Sequence, residues 1–224
     1  MQRGTFSIVA RSRKTGDFGV ASATAAPCVG AFLPWALEGV GAVATQAWVN
    51  VNLGYQGLEL VRSGLGIEAA LGALLAEDAG RARRQVIGID GKSVFGFTGE
   101  ECSEAKGHIL GEDFAVAGNI LADRRILDEM AADFNRSKGE LALRLLQAVE
   151  AGQRAGGDRR GKMSSALLVA SPKPRLYHDL RVDVSQDPVK DLRALYERCW
   201  SLQEEYGEDE EEEVLRYRIG KVPR

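Results

Sequence analysis

The sequence is poor in the residues that build cross-links and metal centres. Its three cysteines, Cys28, Cys102 and Cys199, are odd in number, widely spaced and contain no C-x-x-C pair. That pattern argues against a disulfide scaffold and suits a reducing, cytoplasmic setting. Two histidines, His108 and His178, are too few for a multi-histidine metal centre. No apolar run is long enough to span a bilayer, and Arg3 with the short apolar stretch behind it does not make a signal peptide. A net charge of −3 gives no general case for nucleic acid or for an anionic membrane surface.

What is present is ample core material. The 224 residues are 45% hydrophobic and 27% charged, enough for one large domain or two small ones. No repeat or linker divides them. Residues 1–206 are therefore expected to form a single domain. Residues 207–224, which carry six consecutive acids from Glu208 to Glu213, are expected to form a solvated acidic extension.

Thr5 to Arg11 alternates loosely, Lys14 to Asp17 has turn chemistry, and Phe18 to Ala23 resumes an extended pattern, which predicts a hairpin. Gly30 to Trp35 and Gly39 to Ala47 read as short buried strands. Leu53, Leu58 and Val61, then Ile67, Ala70, Leu71, Leu74 and Leu75, make two helical stripes joined through Ser63-Gly64. Gln85 to Ile89 turns at Asp90-Gly91 into Ser93 to Thr98, and Phe114 to Ala117 gives a further strand. Ile126 to Phe134 is helical. Ser137 and Glu140 have the spacing of a capping box opening the next helix, with Leu141, Leu145, Ala148 and Val149 inward. Ser164 to Val169 and Tyr177 to Val184 read as strands, and Asp187-Pro188 as a helix start. Strands, a helix pair, strands, a helix pair and strands do not make a doubly wound parallel sheet. They predict an α+β fold, a four-layer αββα sandwich of two mainly antiparallel sheets with helix pairs outside.

One residue stands out chemically. If the chain were cut after Gly4, Thr5 would hold a nucleophilic hydroxyl and a free α-amine, whose ordinary pKa of roughly 7.7–8.0 leaves much of it as free base near neutrality. Nucleophile and base would share one residue. The plainer alternative is that Thr5 opens a strand. Ser164 and Ser165 are further hydroxyls, but without a positioned base either is a poor nucleophile.

Four segments resemble one family: Thr5 to Arg11, Gly39 to Ala47, Gly118 to Leu121 and Ala155 to Gly161. The order and spacing are similar to those of the domain-of-unknown-function family DUF1028, placed in the Ntn-hydrolase superfamily. The resemblance implies the αββα fold and an amide hydrolase whose Thr, Ser or Cys nucleophile is freed by self-cleavage. In similar proteins the Thr commonly follows the initiator Met. Here Gln2, Arg3 and Gly4 intervene, although a Gly-Thr junction resembles the one proteasome β-subunits cut.

On this reading Thr5 is the nucleophile. Asp158 resembles the acidic residue that orients it in proteasome-like enzymes, or else satisfies a helix end. Ser22 lies near the position where such enzymes keep an acidic partner, and a hydroxyl there departs from their set. Asn119 and Gln46 are strand-end amides able to donate to a developing oxyanion, or to loop backbone. Arg159 and Arg160 could pair with Asp158 or clamp a substrate carboxylate. Trp35 and Trp48 supply an aromatic wall or core packing. The expected activity is hydrolysis of a small C–N (amide) substrate, with no metal or organic cofactor. The alternative is a non-catalytic ligand-binding or assembly protein that keeps residues 1–4. A homo-oligomer is expected on superfamily analogy.

Overall fold

The computed structural model describes residues 4–206. The acidic extension expected over 207–224 lies outside the described residues. Among the described residues, ten strands and five α-helices form a mixed α+β fold with two antiparallel sheets. The first hairpin pairs β1 (Thr5–Arg11) with β2 (Phe18–Thr24). The second sheet begins with β3 (Pro34–Leu37) and β4 (Gly41–Ala47). Helices α1 (Val51–Arg62) and α2 (Ile67–Glu77) follow. Then come β5 (Arg84–Asp90), β6 (Val94–Thr98), β7 (Gly107–Leu110) and β8 (Phe114–Asn119). Helices α3 (Arg125–Arg136) and α4 (Leu141–Arg154) precede β9 (Ser164–Ala170), β10 (Asp179–Val182) and α5 (Pro188–Tyr206).

The six-stranded sheet has the order β10-β9-β2-β1-β8-β7, and the four-stranded sheet β3-β4-β5-β6. Three apolar clusters explain why the central strands bury both faces. Phe6, Ile8 and Ala10 of β1 pack with Met130, Phe134, Leu145 and Val149 of α3 and α4. Val9 turns the other way, towards Ala44, Ile87 and Ile89 of the second sheet. Val43 and Val86 pack on the far side against Leu53, Leu58, Ile67 and Leu71 of α1 and α2. The period of two in β1 therefore divides its side chains between a helix-facing core and an inter-sheet layer. No described helix is long and apolar enough to cross a membrane.

Three local expectations need correction. Gly30 to Trp35 is not one strand: a 3₁₀ turn at Val29–Ala31 precedes β3. Tyr177 to Val184 likewise begins as a 3₁₀ turn, Leu176–His178, before the short β10. The Ser137/Glu140 capping box does not form. Ser137 instead ends α3, its Oγ donating to the Phe134 carbonyl at 2.7 Å. Glu140 precedes α4, but its carboxylate accepts from the hydroxyls of Tyr177, at 2.9 Å, and Tyr196. Two phenolic donors in a half-buried site outcompete one local backbone N–H. β7 has no counterpart in the sequence reading.

Candidate functional site

Thr5 is the first residue of β1, the strand between β2 and β8 near the middle of the larger sheet. Its cross-strand neighbours are Thr24 on β2 and Asn119 on β8. It shares the inter-sheet face with Ser7 and Val9 and is buried, as are Thr24 and Asn119. The Thr5 hydroxyl donates to Thr24 Oγ1 over 3.4 Å, and the Thr24 hydroxyl donates to the Gly4 carbonyl. A second donor to that carbonyl is Arg160 Nη2, at 3.1 Å. The peptide unit immediately before Thr5 therefore has its oxygen held by one hydroxyl and one guanidinium.

Asp158 supports this arrangement from the turn after α4. Its Oδ1 accepts from the backbone N–H of Arg160 at 2.9 Å and from Arg160 Nε at 3.1 Å. Its Oδ2 accepts from Arg160 Nη2 at 2.7 Å and from the Ala25 N–H at 3.0 Å. The two-point pair fixes the plane of the guanidinium and aims it at Gly4. Gly4 itself fits only because it has no side chain: a Cβ would lie 2.8 Å from both Asp158 oxygens and from Ile120 Cβ.

The second polar cluster lies on the inter-sheet face beside Thr5 and is organised by Gln85, which is fully buried. Gln85 Nε2 lies 3.0 Å from the Gly107 carbonyl, 2.9 Å from the Gly118 carbonyl and 2.9 Å from Thr98 Oγ1. Carbonyl oxygens only accept, so this end of the Gln85 amide must be its nitrogen. Its Oε1 then faces Gln46 Nε2 at 2.7 Å and Asn119 Nδ2 at 2.9 Å, and both must donate. Gln46 Oε1 is in turn left to accept from the Ser7 hydroxyl. Two backbone carbonyls thus fix the orientation of three side-chain amides and one hydroxyl. The chain continues to His108, whose Nδ1 lies 2.9 Å from Thr98 Oγ1. Burial holds the His108 imidazole below its ordinary pKa.

Backbone strain gathers beside the same side chains. Ala47, after Gln46, has φ of 65°, and Ile120, after Asn119, has φ of 52°. A β-branched residue in the left-handed region is a rare and costly conformation, of the kind concentrated at functional sites.

Not every expected residue belongs to this assembly. Thr5, Asp158, Asn119 and Arg160 meet at one end of the larger sheet. Gln46 bonds to Gln85 and Ser7 rather than to Thr5, and both ends of its amide are engaged. Ser22 pairs with Ser7 rather than Thr5, and its buried Oγ has no hydrogen-bond partner among the described residues. The neighbour of Thr5 is Thr24, two residues further along β2. Arg159 is exposed, and its described hydrogen bond runs from its backbone N–H to the Ile120 carbonyl. Trp35 packs under α1, its ring filling the space a Gly54 side chain would take and its Nε1 donating to the Phe32 carbonyl. It makes no wall for Thr5. Trp48 follows the end of β4, partly exposed, with the Arg83 guanidinium 5.1 Å over its ring. Ser164 and Ser165 are structural: Ser164 Oγ donates to the Ala26 carbonyl at 2.6 Å, and Ser165 Oγ to that of Pro188 at 2.8 Å.

Thr24 was readable from register: a hairpin folded about Lys14-Thr15 sets Thr24 opposite Thr5. Gln85 was harder, since a buried glutamine on a strand has no sequence signature.

Residues 5–192 match the model of DUF1028, described as a family of unknown function. The chain is similar to the crystal structure of protein SPO2555 from Silicibacter pomeroyi, itself assigned to the same family model. The two are 33% identical and superpose with a TM-score of 0.80, over 87% of this chain and 88% of that one. No curated protein matches the sequence.

Proposed function

The chain belongs to the DUF1028 family, a family of unknown function, and from that membership and the setting of Thr5 we propose an Ntn-type amidohydrolase on a four-layer αββα sandwich. Thr5 is its nucleophile once freed from Gly4, and a small C–N (amide) compound is its substrate. The observation that carries this reading is the Gly4 carbonyl held by both the Thr24 hydroxyl and the Arg160 guanidinium. Donors fixed on a carbonyl oxygen stabilise the charge that develops there when a nucleophile adds to its carbon.

In the maturation step the Thr5 oxygen adds to the Gly4 carbon. Its proton passes to Thr24 Oγ1, whose own proton moves to the carbonyl oxygen along the existing hydrogen bonds. Collapse breaks the Gly4–Thr5 C–N bond, with the proton returning to nitrogen, and leaves a Gly4 ester on Thr5. Water then hydrolyses this ester to a carboxylate and a free hydroxyl. The α-amine so released, beside Asp158, serves as the base for substrate turnover, and Asn119 assists at the substrate oxyanion. A cytoplasmic homo-oligomer fits the reading, supported by three cysteines without a disulfide and by exposed Trp48, Val51 and Tyr55.

The test is intact-mass measurement with an amidase assay. Wild-type protein is expected to accumulate a species beginning at Thr5, whereas Thr5→Ala stays full length and inactive. Amidase activity in a preparation that remains full length, or retained by Thr5→Ala, would sink the proposal. A second reading, a scaffold that keeps Gly4, is favoured by one observation: the carboxylate beside Gly4 already has four donor contacts and leaves that segment firmly anchored. It predicts a full-length, inactive wild type.

A further inference from the structure

The alignment of the two sheets carries Trp48 to the end of the molecule where Thr5 lies. Val9 of β1 packs in the inter-sheet layer with Ala44 of β4, and further along the Ser7 hydroxyl meets the Gln46 amide. One more step of two residues along each strand brings the level of Thr5 to that of Trp48. The strand pairing still holds there: beyond the partners Ala47 and Arg84, the Trp48 N–H donates to the Arg83 carbonyl at 3.3 Å. Arg83 immediately precedes β5. It stands two residues, about 7 Å of extended chain, before Gln85, whose amide accepts from Asn119 beside Thr5.

Trp48 is fixed in place although its side chain reaches solvent. Both polar groups of its backbone are engaged, because Arg84 Nη1 donates to its carbonyl at 2.7 Å. Arg84 is itself held by Asp78, Nε to Oδ2 at 2.9 Å, and the same oxygen accepts from Asn50 Nδ2 at 2.7 Å. The segment between β4 and α1 is thus tied at Trp48 and again at Asn50. Trp48 is 37% exposed, and the Arg83 guanidinium lies 5.1 Å from its ring centroid. Stacking on an aromatic face steadies the guanidinium plane and leaves its N–H edge outward. That edge is within reach of a ligand. The Arg83 side chain is 48% exposed, and Glu101, 3.7 Å from its Nε, is 62% exposed, a pair that solvent screens. Arg84 is committed to Asp78 and the Trp48 carbonyl, and Arg160 to Asp158 and the Gly4 carbonyl.

We propose that Arg83 and Trp48 form the subsite that selects the substrate of the Thr5 reaction, a small amide bearing a carboxylate. The carboxylate lies on the N–H edge of Arg83, where a planar anion meets the guanidinium fork at two points, and the adjoining carbon chain lies on the indole. The role in substrate selection rests on the amidohydrolase reading; the binding of a carboxylate does not.

Calorimetric titration of the full chain with succinate, glutarate and adipate, each beside the neutral diol of the same chain length, tests the subsite apart from catalysis. At least one dicarboxylate is expected to bind saturably and at least tenfold more tightly than its diol. Arg83→Ala, on an exposed side chain, should abolish that preference without altering the melting temperature. Arg83→Lys should restore only part of it, because an ammonium lacks the fork. Trp48→Ala should weaken the dicarboxylate severalfold, and Thr5→Ala should leave it unchanged. In the amidase assay, with the monoamides of the same acids as substrates, Arg83→Ala should raise KM at least tenfold while kcat stays within about twofold, the mark of lost uniform binding. Failure of every dicarboxylate to bind better than its diol overturns the proposal, as does affinity or KM indifferent to Arg83→Ala. A loss in Thr5→Ala as large as in Arg83→Ala would place the carboxylate at Thr5 and overturn the assignment too. Carboxylate binding that depends on Arg83 in a protein without amidase activity would sustain the subsite and remove the Thr5 reaction instead.

Discussion

Gly4 shows how much the site depends on single atoms. Gly4→Ala would put a methyl group 2.8 Å from both Asp158 oxygens and from Ile120 Cβ. The Asp158 carboxylate is held by Arg160 and Ala25, and Ile120 is already in a strained conformation, so neither neighbour moves freely. Overpacking of this kind costs about 1–3 kcal/mol, and here it also tilts the Gly4 carbonyl away from Thr24 and Arg160. The expected outcome is a lower melting temperature and, on the proposed maturation chemistry, cleavage at least tenfold slower by intact mass. Cleavage at the wild-type rate would show that the two donors do not act on that carbonyl. At this scale the sequence was legible where chemistry sits in a motif. Thr5, Asn119, Asp158 and Arg160 fall in three of the four family-like segments. Gly4 was read as one side of a cleavable Gly-Thr junction, but not as a carbonyl with donors fixed on it, because those donors are 20 and 156 residues away.

Elements were legible where their periodicity is strong, and less so where one polar side chain decides an end. Helices α1 and α2 were expected from their stripes, but the start of α2 has Gly66 before it, which offers no capping side chain. The cap comes from Asp90 at the turn of a distant hairpin: its Oδ2 accepts from the Ile67 N–H at 2.8 Å. Its Oδ1 takes the N–H groups of Lys92 and Ser93, each at 2.7 Å. Burial alone would raise the Asp90 pKa. The backbone donors of Ser93, Ile67 and Lys92 outweigh it and lower the value from its ordinary 3.8. Its native pKa thus lies below the unfolded one, so its stabilisation is present above about pH 4 and fades as the pH falls through the native value. Asp90→Ala removes three charge-assisted backbone hydrogen bonds, the helix cap among them, and should cost about 2–4 kcal/mol at pH 7. Urea titrations of both proteins should show this gap shrinking towards pH 3; a gap independent of pH would contradict the capping role. The failed Ser137/Glu140 box teaches the same lesson in reverse. Its spacing is right, yet Glu140 is drawn to Tyr177 and Tyr196, residues that no local window contains.

For the molecule as a whole, the open question is what keeps two sheets in one alignment when the layer between them is largely small. Much of that layer is alanine and valine, including Val9, Val20, Ala42, Ala44, Ala115 and Ala117. Such surfaces slide more readily than interdigitated large side chains, so a directional contact has unusual influence. Gln85 supplies one. From β5 of the smaller sheet it donates to the Gly107 and Gly118 carbonyls and accepts from Asn119, all in the larger sheet, while also accepting from Gln46 beside it. The alternation of strands made the two-sheet α+β class readable from sequence, but not this clasp, since a buried amide and a surface amide look alike in a strand. Gln85→Leu preserves volume and apolar burial while orphaning two carbonyls and two amide nitrogens. At about 1–3 kcal/mol for each buried polar group left without a partner, some of it recovered by relaxation, the expected loss is about 3–6 kcal/mol. Denaturant unfolding measures the loss, and the amide resonances of Gly107, Gly118 and Asn119 should shift even where the fold survives. A variant as stable as the wild type would mean that the small apolar layer alone holds the sheets in register.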